Sequence, residues 1–320
     1  MLGRRFYRVK VMQALYAWFL GGDTIAEAAE KKLLQSIEKF YELYFLQLSF
    51  YTEVIDFYRR RTEDAKTKYY PTEEEVNPNT RYLDNPLVAM INTNKDFQHQ
   101  INRYKFSWTE EQEMIRKVFM KLRASKDLKT YLDDNEVSYE KDREIVYKLF
   151  RKYIAKSPEL KFYCEERFMF WEDDFDLAAL FIQKTIQMIP QDFTERGRFV
   201  DLFSKDEESS ESEDHQFIID LFRKTIANST EYEQMIRDKT QNWELERIAL
   251  TDIILIKMAL AELMHFPTIP VKVTMNEYIE ISKSFSSPKS KLFINGILDK
   301  LTENLKNEKK IKKKGRGLMT

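Results

Sequence analysis

Seven glycines and eight prolines are all that punctuate 320 residues, and that scarcity narrows the fold sharply. Turn-rich β architectures need those residues at many corners, so the shortage predicts helices joined by few tight turns. Hydropathy repeats agree. Tyr7, Val11, Ala14, Leu15 and Trp18 recur at the spacing of one buried helical stripe, and Phe40, Tyr44, Leu48, Tyr51 and Ile55 do so within a longer run from Lys31 to about Tyr70. Gly21-Gly22-Asp23-Thr24 is expected to end the first helix and cap the next, from about Ile25. Pro71, Pro78 and Pro86 with several asparagines break the periodicity over 71–100, which reads as a connector holding one short helix. The expected fold class is all-α, a helical bundle.

An internal repeat shapes the middle of the chain. Segments 145–189 and 217–264 both read as helix, short Ser-containing turn, helix, Trp-acidic turn and apolar helix. Their LFRK strings, at 149–152 and 221–224, stand 72 positions apart, as do Trp171 and Trp243. A fainter copy, EMIRKVFMKLRAS, occupies 113–125. Between the two stronger copies, KDEESSESED at 205–214 has no apolar residue and reads as a solvated linker. Further on, DIILIKMALAEL from Asp252 is apolar all round, as a central helix would be. Pro267 and Pro270 close it, and Val273–Phe285 reads as the next helix. Ser287 before Pro288 then offers an N-cap for a last helix with Phe293, Ile297, Leu298 and Leu301 on its buried stripe. Gly296 within that stripe costs about 1 kcal/mol relative to Ala, which suggests a close approach by another element.

Charge and special residues exclude several functions. A lone cysteine, Cys164, excludes an intramolecular disulfide, and His99, His215 and His265 lie too far apart for a zinc-ligand spacing. No glycine-rich phosphate loop, GxSxG elbow or metal cluster is present, so neither an enzyme nor a cofactor or metal is expected. No apolar window approaches a membrane span, no secretory leader is visible, and a cytoplasmic location is expected. The net charge of −1 conceals basic ends on an acidic body. Residues 1–22 carry +4, residues 306–320 carry +6, and 23–305 carry −11. Basic ends on such a body point to an anionic partner met at defined places. Arg4, Arg5 and Arg8 fall within one turn and are expected to share a face away from the apolar stripe. Arginine offers forked donors to phosphate, and exposed Tyr or Phe can stack unpaired bases; Phe6, Tyr7 and Tyr16 are the nearby rings.

The N-terminal RRFYRVKVMQALYAW resembles the arginine-rich first helix of the NusB transcription antitermination factors, with a pattern near RRxAR…QALYxW. ALAELMHFPTIPVKVTMNEYIEISKSFSSPKSKLFINGILDKL is similar to the C-terminal NusB stretch. Pro270, Val273, Asn276, Glu277, Glu280, Lys283, Phe285, Ser290, Lys291, Phe293, Asn295, Gly296, Leu298 and Asp299 occupy corresponding places, and Lys257 stands where an Arg is customary. The resemblance implies N-terminal bundle helices in 1–40, a helical insertion with the repeat and acidic linker in 41–214 and the rest of the bundle in 215–305; the lysine run at 306–320 reads by composition as a flexible basic tail. The resemblance also implies a non-enzymatic factor of the transcription elongation complex. Such a factor binds boxA-type single-stranded RNA of ribosomal RNA leaders together with NusE, a small-subunit ribosomal protein, and suppresses premature termination. By the same resemblance, Arg4, Arg5, Arg8, Lys10 and Tyr16 would meet the RNA, and Glu246, Asp252, Lys289 and Phe293 would form the NusE face. The competing expectation is a helical-repeat scaffold that binds protein and has lost RNA.

Overall fold

The computed structural model describes residues 3–22, 25–167, 171–197, 199, 213–240 and 248–318, with the side chains of 171–173 left aside. Its α-helices in chain order are α1 (Arg4–Gly21), α2 (Ala26–Lys66), α3 (Glu73–Val76), α4 (Pro86–Thr93) and α5 (Lys95–Tyr104). Next come α6 (Gln112–Arg123), α7 (Lys126–Asp133), α8 (Tyr139–Leu149), α9 (Pro158–Arg167) and α10 (Trp171–Met188). The series ends with α11 (Glu213–Ala227), α12 (Ser229–Lys239), α13 (Leu250–His265), α14 (Val271–Phe285) and α15 (Ser290–Asn307). No strand occurs among the described residues, and the class is all-α.

Two compact units emerge. One comprises Met1–Ser36 with Asp201–Thr320, the other Ile37–Val200. In the first, α13 packs against α1, α11, α14 and α15, and it is buried without interruption from Asp252 to Leu263, the central helix its composition demands. Gly22, at φ 63°, supplies the left-handed turn that stops α1; the expected caps Asp23 and Thr24, like Trp243 and the 205–212 part of the acidic linker, lie outside the described residues.

In the second unit, the 71–100 connector holds more helix than expected. Asn85 caps α4 by accepting from Leu87 N (2.9 Å) and Val88 N, with Pro86 at the first helical position. Asn94 then ends α4 and caps α5 through Phe97 N at 2.9 Å. Proline and asparagine here start helices rather than break them. The repeat segments fold in the same order, α8–α9–α10 and α11–α12–α13, one set in each unit. Trp171 opens α10 instead of sitting in the preceding turn. LFRK runs into a π-helical turn at Phe150–Ile154 in the first segment but lies in regular helix in the second.

Two local expectations of the last helix change. α15 starts at Ser290: the Ser286 and Ser287 hydroxyls engage the Ser290 hydroxyl at 2.8 Å, and Ser290 N donates to Ser287 O at 2.9 Å to close a turn over 287–290. Ile294, Ile297, Leu298, Leu301 and Leu305 form its buried stripe, while Phe293 is half-buried. Gly296 is exposed, with nothing within 4 Å of where a Cβ would stand, so no described element of this chain explains it.

The basic tail packs where a flexible segment was expected. Lys314 N donates to Pro267 O at 2.8 Å, and Lys313 Nζ donates to the carbonyls of Phe266 (2.9 Å) and Glu262 (3.4 Å) at the end of α13. The N–H groups of Lys313 add donors at the helix C-terminus, where carbonyls run short of intrahelical partners. A Cβ on Gly317 would meet Pro267 O at 2.0 Å, so only glycine permits this approach. Gly317→Val is therefore expected to release the tail, costing about 1–2 kcal/mol of docking and read as roughly tenfold faster tryptic cleavage after Lys313 and Lys314.

Burial lowers the Lys313 pKa to about 8, with the Glu262 charge opposing, from an ordinary value of 10.5. Between those pH values the undocked tail holds more protons than the docked one, so docking strengthens as pH rises through that window and is flat below it. Protection of the tail from proteolysis should rise from pH about 8 to 9 in the native chain and stay level in Lys313→Met.

Candidate nucleic-acid interface

α1 enters the first unit with its N-terminal half buried on nearly every side: Phe6, Tyr7, Arg8, Val9, Lys10, Val11 and Met12 are all buried. A helix so enclosed cannot hold its arginines on one solvent face, and the three part company.

Arg8 goes inward. Its Nε and Nη2 donate to the two carboxylate oxygens of Glu262, each at 2.8 Å, and both residues are shut off from solvent. Glu262 also accepts from the Thr274 hydroxyl at 2.8 Å and the Tyr278 hydroxyl at 3.1 Å. Arg8 lies over the Phe217 ring at 5.2 Å, and Glu277 approaches its Nη1 at 3.6 Å. Burial would lower the Arg8 pKa, but Glu262 more than offsets it through charge and hydrogen bonds and holds the pKa above the ordinary value. The same burial, reinforced by the Glu262 charge, pushes the Tyr278 hydroxyl well up. All four donors on Glu262 are thus matched, as a buried charge requires.

Arg5 and Arg4 stay nearer the surface. Arg5 grips Glu277 of α14 with a second fork, at 2.9 and 2.7 Å, yet its side chain remains 53% exposed. Arg4 reaches Glu213 (3.1 Å) and Asp214 (3.4 Å) of α11. The arginines therefore tie α1 to α11, α13 and α14, and their charges meet carboxylates on each. The sequence-based expectation of one exposed arginine face fails at Arg8 for this reason. Lys10, expected by the resemblance to meet RNA, is also buried, 2% exposed with its Nζ 5.9 Å from the Phe6 ring centroid. Tyr16 is exposed, at 41%.

The residues expected to face a protein partner also separate. Glu246 lies outside the described residues. Asp252 is buried, its carboxylate accepting from the Ser286 hydroxyl, so it holds the end of α14 rather than a surface. Lys289 is exposed and Phe293 half-exposed, and with Gly296 they follow the i, i+4, i+7 spacing of one helix edge.

Sequence reading missed the carboxylates. Glu262 in a largely apolar, buried helix was the available signal, since a buried acid needs a cationic partner. Lys257 on the same helix carried a like signal: its Nζ bonds Ser229 Oγ (2.9 Å) and Glu233 (3.1 Å) and lies over Phe19. Elsewhere, burial pushes the Cys164 thiol up to about 12, an environment for an inert thiol. Among the described residues, no group of His, Cys, Asp and Glu could hold a metal, and no helix is long and apolar enough to cross a membrane.

A helical bundle closed around an arginine-carboxylate network, with a partly exposed basic and aromatic first helix, defines the class to which known proteins can be compared. Residues 177–303, from within α10 to near the end of α15, match the NusB family. The chain is 40% identical over 99 residues to the transcription antitermination protein NusB of Salinibacter ruber, covering 31% of this chain and 62% of that protein. It is 39% identical over 103 residues to NusB of Chloroherpeton thalassium (32% and 49%) and 41% identical over 102 residues to NusB of Koribacter versatilis (32% and 70%). The chain thus spans between about half and two thirds of the length of the first two relatives. No solved structure matches it. The chain belongs to the NusB family. The matched segment begins earlier than the 215 boundary read from sequence and does not include α1.

Proposed function

We propose that this chain is a non-enzymatic, cytoplasmic RNA-binding factor of transcription antitermination, recognising boxA-type single-stranded RNA of ribosomal RNA leaders together with NusE. One observation carries the α1 part of this reading. Arg5 and Tyr16, the exposed members of the expected RNA set, are eleven residues apart, so they share one edge of α1 about 16 Å apart along the axis. That spacing suits a guanidinium on one phosphate and a ring beneath a base a few nucleotides away. Arg4 contributes at the rim. Arg8 and Lys10 act from inside, holding α1 in position.

The NusE face is assigned to Lys289 and Phe293, where Gly296 leaves the backbone of α15 open to close approach, with Asp252 fixing the adjoining turn; Glu246 completes it by family resemblance. α1 and the family-matched 177–303 supply the NusB bundle, and the remainder of 41–214, residues 41–176, is an insertion within it.

The test is a titration of a boxA-type strand and a scrambled control, with and without NusE. Sequence preference that NusE strengthens is expected. Equal affinity for both strands sinks the boxA reading, and no binding to either leaves a protein-binding scaffold.

A further inference from the structure

The second unit carries a strongly basic edge that nothing above uses. Residues 59–68, which finish α2 and continue past it, hold five basic and two acidic residues, and α6 holds four and one. Each stretch is therefore +3, in a unit whose 27 basic and 30 acidic residues sum to −3. The two meet: Phe119 of α6 packs edge-on to Phe57 at 5.3 Å and tilts against Tyr58 at 5.2 Å. Beside this aromatic seam lies an open groove of about 650 Å³, lined by Phe57, Gln112 and four arginines (Arg59, Arg60, Arg61 and Arg116) against three acids (Glu63, Asp64 and Glu113).

The arginines are not equivalent. Arg59 is occupied by Leu83 O and Asp84, and Arg60 by Glu53 at 2.7 Å. Arg61 rests its guanidinium over the Phe57 ring at 5.6 Å and has no carboxylate partner among the described residues. Among the described residues Arg116 pairs with Glu113 alone, one turn back on its own helix at 3.5 Å, with both side chains more than half exposed. A pair that exposed is worth little and yields readily to a better anion. Eight residues beyond Arg61, Tyr69 and Tyr70 are 89% and 84% exposed, their rings edge-to-face at 4.6 Å.

We infer that this groove is a second RNA-binding site, in which Arg61 and Arg116 hold backbone phosphates of a single strand, while Tyr69 and Tyr70, outside the groove lining and eight and nine residues beyond Arg61, stack bases of the strand where it leaves the groove. Phosphate is the anion that a planar fork backed by an aromatic ring fits, because the ring leaves the N–H edges free to donate. An acidic peptide would satisfy the arginines but has no use for two bare tyrosine faces, whereas an unpaired base does. A basic pole on a net acidic unit concentrates the field at one place, which favours capture of a polyanion. No residue of this site lies in α1 or in 177–303, so the inference goes beyond the α1 reading and shares with it only the class of ligand.

The test titrates the full chain with a labelled oligouridylate, from about 50 to 200 mM salt. Arg61→Ala/Arg116→Ala is expected to weaken binding roughly tenfold or more and to flatten the log–log salt slope by about 1.4, two phosphates at about 0.7 each. Arg61→Lys/Arg116→Lys keeps the slope, and Tyr69→Ala/Tyr70→Ala weakens binding without flattening it. All these side chains are exposed, so melting curves should coincide with that of the native chain. Unchanged affinity and slope in the double alanine variant overturns the site. So does displacement of the oligouridylate by oligoglutamate at the lower concentration, which would assign the groove to an acidic protein. Loss of boxA preference with the Arg61/Arg116-dependent binding intact sinks the α1 reading alone.

Discussion

Replacing Glu262 by alanine is expected to destabilise the first unit by about 3–5 kcal/mol, the cost of leaving a buried charge without its partner. Arg8 would keep its guanidinium at a 2% exposed position with both forked bonds gone, and the Thr274 and Tyr278 hydroxyls would lose their acceptor in the same step. Replacement by Gln, of the same shape, should cost less, since its amide oxygen still accepts while the charge and one acceptor are lost. Replacing both charges together, as Arg8→Met with Glu262→Leu, should recover much of the loss, because the desolvation cost of each ion disappears with it. A chain with two units need not unfold in one step, so amide hydrogen exchange of α1 and α13 is the proper readout. Exchange in both helices should accelerate by about two orders of magnitude or more in Glu262→Ala, since 1.4 kcal/mol is about tenfold. Unchanged protection would mean the network is a passenger of the packing around it.

Arg5→Ala with Tyr16→Ala is expected to reduce affinity for a boxA-type strand about a hundredfold or more. A hydrogen bond to a charged group contributes about 1.5–3 kcal/mol, and stacking of one base on an aromatic ring about 1–3 kcal/mol. The single variants should differ in kind. Arg5→Ala should flatten the salt dependence by about one phosphate contact, and Tyr16→Ala should leave the slope unchanged. Arg5 also gives up its fork on Glu277, but at 53% exposure that pair contributes only about 0–1 kcal/mol to folding. The two effects are therefore separable by comparing the melts with the titrations.

Much of the helical architecture was legible because it rests on periodicity. The stripe Tyr7–Val11–Leu15 and the apolar run of α13 are one-dimensional signals of burial, and both segments are buried helices. The connector over 71–100 misled because proline and asparagine start helices as readily as they stop them; only the hydrogen bonds of Asn85 and Asn94 decide between the two. The arginine cluster misled for a different reason. Three arginines within one turn look like a surface feature, but which of them points inward depends on a carboxylate 254 positions away. Sequence spacing alone carries no record of that pairing. The lysine tail is a third case: its composition is that of a solvated end, and its docking hangs on Gly317 meeting Pro267 and on Lys313 finding the end of α13.

The central claim is that α1 meets RNA through its Arg5–Tyr16 edge. The most direct measurement is photo-crosslinking of a 4-thiouridine-bearing boxA-type strand to the full chain, mapped by mass spectrometry. Crosslinks on α1 centred on Tyr16 are expected, lost when an unlabelled boxA strand competes and retained when a scrambled one does. Crosslinks that spare α1 altogether, or that both competitors remove equally, would contradict it.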